Sequence, residues 1–212
     1  MNPDLKTSTP PVNPEKASKA STFKNLVWEW VKVIVVALIL AWIIRSFIIE
    51  PFVVEGASMD PTFSTGQYLI VDRISYRFET PKRGDVIVFQ YPNDPRLDYI
   101  KRIIGLPGEE ISINNGVTTI KNSEMPNGFT LDESYVTESH KSYTNVTSLK
   151  LGPTQYFVMG DNRAFSSDSR AWGPLDSSLI IGRPIARLWP VSILPGESAP
   201  IASPVATSTL KK

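Results

Sequence analysis

The chain has 212 residues, and its 22 lysines and arginines against 21 aspartates and glutamates give a formal net charge of +1. This balance argues against a nucleic-acid-binding surface. The absence of cysteine excludes thiol catalysis, disulfides and thiolate metal sites, and a single histidine argues against zinc as well.

The N-terminal part of the chain divides into a polar arm and an apolar segment. Residues 1–23 are rich in proline, serine and lysine and have no apolar period, so we predict a disordered arm. In the segment 24–49, the uncharged centre from Val33 to Ile44 alone has the length of a buried core helix. Counting through Lys32 and Arg45, whose side chains can snorkel, gives a segment long enough to span a bilayer. We predict an uncleaved transmembrane anchor, with a cleaved signal peptide and a core helix as the alternatives.

Basic residues are concentrated before this segment. The far flank has Arg45 at the boundary and then Glu50 and Glu55. The lysines on the N-terminal side are Lys6, Lys16, Lys19 and Lys24. The positive-inside rule therefore predicts a single-pass protein with its N-terminus in the cytoplasm and everything after residue 50 outside.

From residue 50 to 195 the pattern favours strands. Short runs rich in valine, isoleucine and aromatic residues alternate with turn residues, and no amphipathic helix is indicated. The runs cover residues 52–54, 67–76, 85–91, 99–105, 154–160 and 180–190, the last being taken as the final strand. We predict an all-β, partly barrel-like domain behind one N-terminal transmembrane helix.

Two other stretches stand out. Residues 110–122 predict a hairpin with Asn115 and Gly116 at its tip, because this pair favours a type I′ turn. With the polar, turn-rich stretch 123–152, it is interpreted as a variable insertion over about residues 106–153. Residues 196–212 are low in complexity and are predicted to be disordered.

The stretch EGASMDPTF contains a candidate nucleophile, Ser58, shortly after the apolar segment. A serine nucleophile needs a base that takes its proton. The single histidine, His140, lies in a polar stretch with nothing to suggest an orienting acid, and is interpreted as a surface residue. Lysine is therefore the remaining candidate for the base.

Lys101, in YIKRIIGLPGEE, is flanked by apolar residues. Burial disfavours the charged form of a lysine and lowers its pKa. On a strand, Tyr99 and Ile103 share the face of Lys101, whereas Arg102 points to the opposite face. The alternative for Lys101 is an edge-strand lysine that protects the sheet from aggregation.

The stretch GDNRAFSSDSR, residues 160–170, places acids, arginines and serines directly after a predicted strand. The spacing of its acids does not match a calcium-binding loop. We predict a turn held by carboxylate–guanidinium pairs, which could position a hydroxyl but identifies no reaction by itself.

Taken in order, these segments resemble type I signal peptidases, the membrane-bound serine proteases that remove signal peptides from exported proteins. The anchor is followed by EPFVVEGASMDPTF, RGDVIVF, YIKRIIGLPGE and then GDNRAFSSDSR with WGP, which resemble the successive blocks of that family. The resemblance covers most of residues 26–190. Four blocks in order behind one anchor are far more specific than any single block.

The resemblance implies a Ser-Lys mechanism that needs no cofactor. Ser58 takes the nucleophile position, Lys101 takes the general-base position, and Ser166 corresponds to a serine that orients the lysine. Gly56 stands where some members have a second serine that stabilises the oxyanion, which leaves the backbone N–H of Ser58 as a donor. Two supporting ion pairs are implied: Asp168 with Arg170, and Asp161 with Arg102.

By the same resemblance, the partners are preproteins with signal peptides and the lipid of the bacterial plasma membrane, and no nucleic acid is expected. Cleavage is expected after small residues at the first and third positions before the scissile bond. Shallow apolar pockets would select these residues. Their implied lining is Phe52, Val54, Phe63, Tyr99 and Ile100.

Two other classes of function remain open. A self-cleaving regulator of the repressor type has a Ser-Lys β-fold, but the anchor and the missing helical DNA-binding region argue against it. A non-catalytic, membrane-tethered β-domain would not need Ser58, Lys101 and Ser166 together.

Overall fold

A computed structural model of the chain describes residues 14–47, 49–188 and 191–194. The chain divides into two compact units, with the boundary between Ser46 and Phe47. The helices are α1 (Pro14–Phe47) and α2 (Ser169–Trp172). The strands are β1 (Ile49–Val53), β2 (Tyr68–Asp72), β3 (Val86–Tyr91), β4 (Asp94–Gly105), β5 (Glu110–Asn114), β6 (Val117–Lys121), β7 (Phe129–Thr130), β8 (Val146–Lys150), β9 (Gln155–Met159), β10 (Leu175–Asp176), β11 (Ile180–Leu188) and β12 (Val191–Ile193).

Helix α1 is long and largely apolar. Pro14 occupies its first turn, where a missing N–H leaves no helical hydrogen bond unmade. Lys24–Trp42 is long and apolar enough to cross a membrane, and none of this window is buried. That exposure argues against the core-helix alternative, because a core helix packs against other elements.

The helix also begins earlier than the predicted end of the disordered arm. Residues 14–23 are helical, and they include the strong helix formers glutamate, lysine and alanine. Residues 1–13 of the predicted arm and the predicted tail 196–212 lie outside the described residues.

The second unit is built mainly from strands, as predicted. Eight strands form one sheet in the order β1-β2-β11-β3-β4-β9-β10, with β12 paired to β11. The register of β11 shifts between residues 180 and 182 and again between residues 184 and 186. Such irregularities bend a strand and increase its twist. Residues 52–54 and 98–100 line one cavity although β1 and β4 are first and fifth in the order, so the sheet curls into the predicted partly barrel-like form.

The segment between β4 and β9 forms a second sheet in the order β7-β6-β5-β8. The predicted hairpin is β5–β6, and φ values of 49° at Asn115 and 78° at Gly116 fit a type I′ turn. Isoleucines of this hairpin, Ile111 and Ile120, belong to one buried cluster with Phe157 of β9. The stretch interpreted as an insertion therefore completes the hydrophobic core of the unit.

Some strand limits differ from the prediction. β2 ends at Asp72, whose carboxylate accepts hydrogen bonds from the N–H groups of Ile74 and Ser75 at 2.8 and 3.1 Å and turns the chain. β4 begins five residues before the predicted start, at Asp94. β11 is followed by the short strand β12, so it is not the final strand.

Candidate active site

Ser58 and Lys101 are joined by a direct hydrogen bond. Lys101 Nζ donates to Ser58 Oγ at 2.8 Å and to the Ile100 carbonyl oxygen at 3.0 Å. Ser58 lies in the loop between β1 and β2, and Lys101 lies on β4 opposite Ile87 of β3. The two side chains are thus within the distance that direct proton transfer needs.

Lys101 is buried in the sheet. The residue is only 4% exposed, and its Nζ lies 5.2 Å from the centroid of the Tyr99 ring, on the shared strand face. Burial lowers the pKa of Lys101 from 10.5 to about 8, in spite of the opposing charges of Asp168 and Asp161. The edge-strand alternative does not hold, because a lysine that protects a sheet edge lies in solvent, whereas Lys101 is buried and bonded to Ser58.

Arg102, on the opposite face of β4, forms a buried ion pair with Asp161. Its Nε and Nη2 donate to the two carboxylate oxygens at 2.8 and 2.6 Å, and its Nη1 donates to the Gly84 carbonyl at 2.8 Å. Thr62 Oγ1 donates to the same carboxylate at 2.5 Å. The implied pair is therefore present, and it connects β4 to the loop after β9 and to the segment that follows Ser58.

Asp168 organises the turn after β9. Its carboxylate accepts hydrogen bonds from Arg170 Nε and Nη2, both at 2.7 Å, and from the Gly160 N–H at 3.0 Å. Burial alone would raise the pKa of Asp168, but Arg170 holds the pKa of this carboxyl below its usual range. The second implied pair is thus also present, and Asp168 caps α2 at the same time.

Ser166 lies beside the site without a hydrogen bond to Lys101. Its Oγ is buried and has no partner in ordinary hydrogen-bond geometry among the described residues, although the hydroxyl helps to lower the pKa of Asp168. A Cβ added at Gly160 would lie 2.3 Å from Ser166 Oγ and 2.4 Å from the Ser58 carbonyl oxygen. Gly160 therefore allows the segments of Ser58 and Ser166 to approach each other. The sequence placed this glycine at the end of a strand but did not indicate this role.

Asn162 holds the Ser58 loop and was not predicted as a site residue. Its backbone N–H donates to the Ser58 carbonyl at 3.0 Å, and its Nδ2 donates to the Ala57 carbonyl at 3.0 Å. Its position in the polar stretch GDNR was the only sequence signal for this role.

Two further supporting residues come from the segment between β7 and β8. Arg163 donates to Glu133 Oε1 at 2.6 Å and to the Tyr135 hydroxyl oxygen at 2.9 Å. The guanidinium of Arg102 lies 4.6 Å from the centroid of the Tyr135 ring. The polar stretch around these residues carried no pattern that indicated such contacts.

Gly56 has a φ of +89°, and a Cβ added at this residue would have no atom within 4 Å. Its carbonyl accepts a hydrogen bond from Thr65 Oγ1 at 2.9 Å. A serine would fit the space but would be strained in this backbone conformation. The path of the loop therefore favours glycine here.

Two cavities lie beside the Ser58–Lys101 pair. The larger, of about 270 Å³, is lined by both catalytic candidates together with Tyr99, Ile100 and Phe165. The smaller, of about 30 Å³, has walls from β1 and β4. Four of the five implied pocket residues line one or both: Phe52, Val54, Tyr99 and Ile100.

Phe63 is the exception among the implied pocket residues. It lines neither of these cavities and is only 2% exposed, in a buried cluster with Met59 and Leu69. Its ring therefore packs in the core, and the guanidinium carbon of Arg187 lies 5.6 Å from the ring centroid. His140 makes no hydrogen bond to Ser58 or Lys101 among the described residues; it lies in the turn Glu138–His140, where its Nδ1 is 3.0 Å from Thr137 Oγ1.

A serine bonded to a buried lysine, beside a cleft in a curled sheet, has the geometry of a β-sheet serine hydrolase. The model of the family described as signal peptidase, peptidase S26, matches residues 27–189. The chain is 38% identical over 200 residues to signal peptidase I of Leptolyngbya laminosa, covering 91% of this chain and 93% of that protein. It is 37% identical over 176 residues to probable signal peptidase I-1 of Synechocystis, covering 78% of this chain and 86% of that protein.

A crystal structure of a signal peptidase I from Enterococcus faecalis, 30% identical, covers 50% of this chain and 97% of that chain with a TM-score of 0.42. The family model matches most of the chain, and the two curated relatives are 37% and 38% identical to it. The chain therefore belongs to the signal peptidase family, peptidase S26. Its apolar N-terminal helix fits a membrane-anchored enzyme of this family.

Proposed function

We propose that this signal peptidase cuts the bond that follows a signal peptide, with Ser58 as nucleophile and Lys101 as general base. The observation that carries the proposal is the 2.8 Å hydrogen bond from Lys101 Nζ to Ser58 Oγ. Burial supports it, because a pKa of about 8 gives Lys101 a usable neutral fraction near neutral pH.

Lys101 carries the proton in each step of the proposed reaction. Ser58 Oγ bonds to the scissile carbonyl carbon while its proton passes to the neutral Lys101 amine. The C–N bond then breaks, and the Lys101 ammonium gives its proton to the leaving amine, which becomes the N-terminus of the mature protein. Water attacks the acyl-Ser58 ester with Lys101 again as base, and the proton returns to Ser58 Oγ.

The oxyanion would be bound by the backbone of the Ser58 loop. Among the described residues, no acceptor takes the Ser58 N–H in a hydrogen bond, so this donor is available to a substrate. Asn162 fixes the loop through the Ala57 and Ser58 carbonyls, which holds the donor in a set direction. Such preorganised donors contribute strongly to acyl transfer.

Substrate selection follows from the free edge of β4 and from the small cavity. Residues 98–100 pair with β3 on one side, whereas pairing with β9 begins at Arg102, so an extended peptide can add along the free edge. The cavity of about 30 Å³ beside Phe52 and Tyr99 accommodates a methyl group but no large side chain. We therefore propose small residues at the first and third positions before the cut.

One face of the main sheet has the properties of a membrane-contacting surface. Val53 pairs with Tyr68, and Leu188 pairs with Val191, while Leu69 and Val71, the neighbours of Ile70 on β2, are buried. Val191 and Ile193 are 80% and 89% exposed. This apolar face consists of Pro51, Val53, Tyr68, Ile70, Ala186, Leu188, Val191 and Ile193. We propose that lipid covers it, because β1 begins two residues after the apolar helix α1 ends.

In the proposed topology, residues 24–49 are the anchor, 1–23 are cytoplasmic and 50–195 are outside. The lysines before the anchor support this orientation. A protease added outside the cell should trim the chain beyond residue 50 and spare the N-terminal arm. Trimming of the arm alone would refute the orientation.

The proposed chemistry is tested by single substitutions in the full-length protein in detergent, assayed on a preprotein with alanine at both specificity positions. Ser58→Ala and Lys101→Ala should each abolish cleavage while the circular dichroism spectrum is kept. Lys150→Ala, which removes an exposed lysine of β8, should retain activity and serves as the matched control. Full activity in either site variant would exclude the Ser-Lys mechanism.

A further inference from the structure

A cavity of about 430 Å³ lies apart from the Ser58–Lys101 pair and shares no lining residue with the two cavities beside that pair. It is formed by the turn after β2, the end of β3 and the turn that enters β11. The polar part of its lining is Arg73, Tyr76, Arg77, Gln90, Ser177 and Ser178, and no lining residue is acidic.

The two guanidinium groups are the positively charged donors among the described lining residues of this cavity. Arg77 makes no ion pair with any described residue, and Arg73 pairs with Glu50 at 3.1 Å, where both side chains are 44% exposed. An ion pair this exposed contributes little and can be exchanged for another anion. Two of the three hydroxyls in the lining are already used, since Tyr76 donates to Asp85 and Ser178 donates to Asp176.

Two guanidinium groups in one concave cavity, whose lining residues include no acid, match a phosphate group. The planar fork of arginine binds phosphate oxygens in a bidentate manner, with charge-assisted hydrogen bonds. The cavity's volume of about 430 Å³ is that of a small-molecule site and gives room for a phosphate with an attached polar group.

The position in the chain makes lipid phosphate a ready source. Glu50, the partner of Arg73, is three residues after the last residue of the apolar helix, Phe47. Phe78, next to Arg77, is 84% exposed. An exposed aromatic ring beside basic side chains is typical of the membrane–water interface.

We propose that this cavity binds a phosphate-bearing anion through Arg73 and Arg77, with an anionic lipid headgroup or a soluble phosphate as its source. The site is distinct from the proposed catalytic machinery and does not depend on it. When the anion binds, it replaces Glu50 as the partner of Arg73 and gives Arg77 a counter-charge.

The test is titration calorimetry on the full-length protein in uncharged detergent. The probes are inorganic phosphate, short-chain phosphatidylglycerol, and short-chain phosphatidylcholine, which carries no net charge. The variants are Arg77→Gln and Arg73→Gln/Arg77→Gln. The matched control is Arg96→Gln, because Arg96 is an arginine paired with an acid, Asp94, with its side chain 88% exposed and outside the cavity.

The wild type and the Arg96→Gln variant should bind an anionic probe, and the double variant should bind about tenfold more weakly or worse. Binding of phosphatidylglycerol alone would identify the lipid headgroup as the source, and binding of inorganic phosphate would show that a soluble anion suffices. Equal affinities in the double variant and in Arg96→Gln, or binding of neither anion, would overturn the proposal. Cleavage of a soluble peptide by the double variant should match the wild type, which separates this test from that of Ser58 and Lys101.

Discussion

Lys101 combines two properties that usually exclude each other: a titratable amine and nearly complete burial. Desolvation favours the neutral form, and the carboxylates of Asp161 and Asp168 oppose this effect without forming an ion pair with the amine. Each of those carboxylates is instead bonded to its own arginine, Arg102 or Arg170. The arrangement keeps acids near the site while leaving the Lys101 amine able to accept a proton.

This protonation equilibrium predicts the pH dependence of catalysis. Only the neutral amine can take the Ser58 proton, so kcat/KM should rise with pH through about 8 and level off above it. The measurement is a pH profile from 6 to 10 on a soluble peptide substrate. A profile that stays flat through this range would contradict Lys101 as the titrating base.

The lowered pKa of Lys101 also predicts that this residue reduces the stability of the folded state. The folded pKa of about 8 lies below the unfolded value of 10.5, so the unfolded chain binds more protons between these values. Below pH 8 the loss of folding stability caused by the lowered pKa of Lys101 is therefore complete. Lys101→Met should raise the free energy of unfolding at pH 7 by on the order of 2 kcal/mol.

The measurement is chemical denaturation of the full-length protein in detergent at several pH values. The advantage of Lys101→Met should shrink as the pH rises from 8 to 10.5. Lys150→Met, at an exposed position, should show no such pH-dependent gain. A loss of stability in Lys101→Met at pH 7 would contradict this destabilising effect of Lys101.

At the scale of elements, the turn after β9 is held from two sides. Asp168 and Arg170 brace it from within, and Arg163 connects it to Glu133, in the segment between β7 and β8. The side chains of Arg163 and Glu133 are only 7% and 11% exposed. The second sheet thus supports the site by a buried ion pair as well as by its apolar core.

Removing Glu133 should therefore weaken the protein. Glu133→Ala leaves the Arg163 guanidinium buried without its carboxylate partner, and such a change costs about 3 kcal/mol or more. The matched control is Glu138→Ala, which breaks the exposed pair with Lys141 and should have little effect. Denaturation midpoints of the two variants would decide, and equal midpoints would show that the Glu133 pair contributes nothing.

The sequence predicted the parts of the site that depend on local pattern. Strand alternation indicated the opposite directions of Lys101 and Arg102 but left an edge-strand lysine open, and the order of the blocks linked Lys101 to Ser58. Glu133 and Tyr135 could not be predicted, because their contacts join residues far apart in the chain and no periodic pattern marks them. Phe63 was misplaced for a related reason: a phenylalanine near a nucleophile fits a pocket wall and a core equally well.

At the scale of the whole molecule, the main sheet carries an apolar face that would contact lipid. The face is formed by alternate residues of four strands, β1, β2, β11 and β12, and on β2 the alternating residues Leu69 and Val71 are buried. Sheet pairing therefore brings exposed apolar side chains from β1 and β2, early in the second unit, next to those of β11 and β12, late in the chain. The apolar runs predicted the strands but not which strands would become neighbours.

Charges placed on this face should impair processing only where a membrane is present. Val191→Glu/Ile193→Glu should lower cleavage of a membrane-embedded preprotein about tenfold, because the face must then bring charge against lipid. Cleavage of a soluble peptide should be unchanged. Val117→Glu, at a half-exposed valine of β6 outside the face, is the control and should match the wild type in both assays.

The carbonyl–amide contact between Ser58 and Asn162 has a consequence for the dynamics of the protein. The turn that contains Asn162 is fastened to the second sheet through Arg163, and that sheet shares its core with β4 and β9. The loop that carries the nucleophile therefore belongs to the same cooperative unit as the core. Amide hydrogen exchange at Asn162 should be as slow as in β9, and denaturant should abolish activity only at the concentration that unfolds the whole unit.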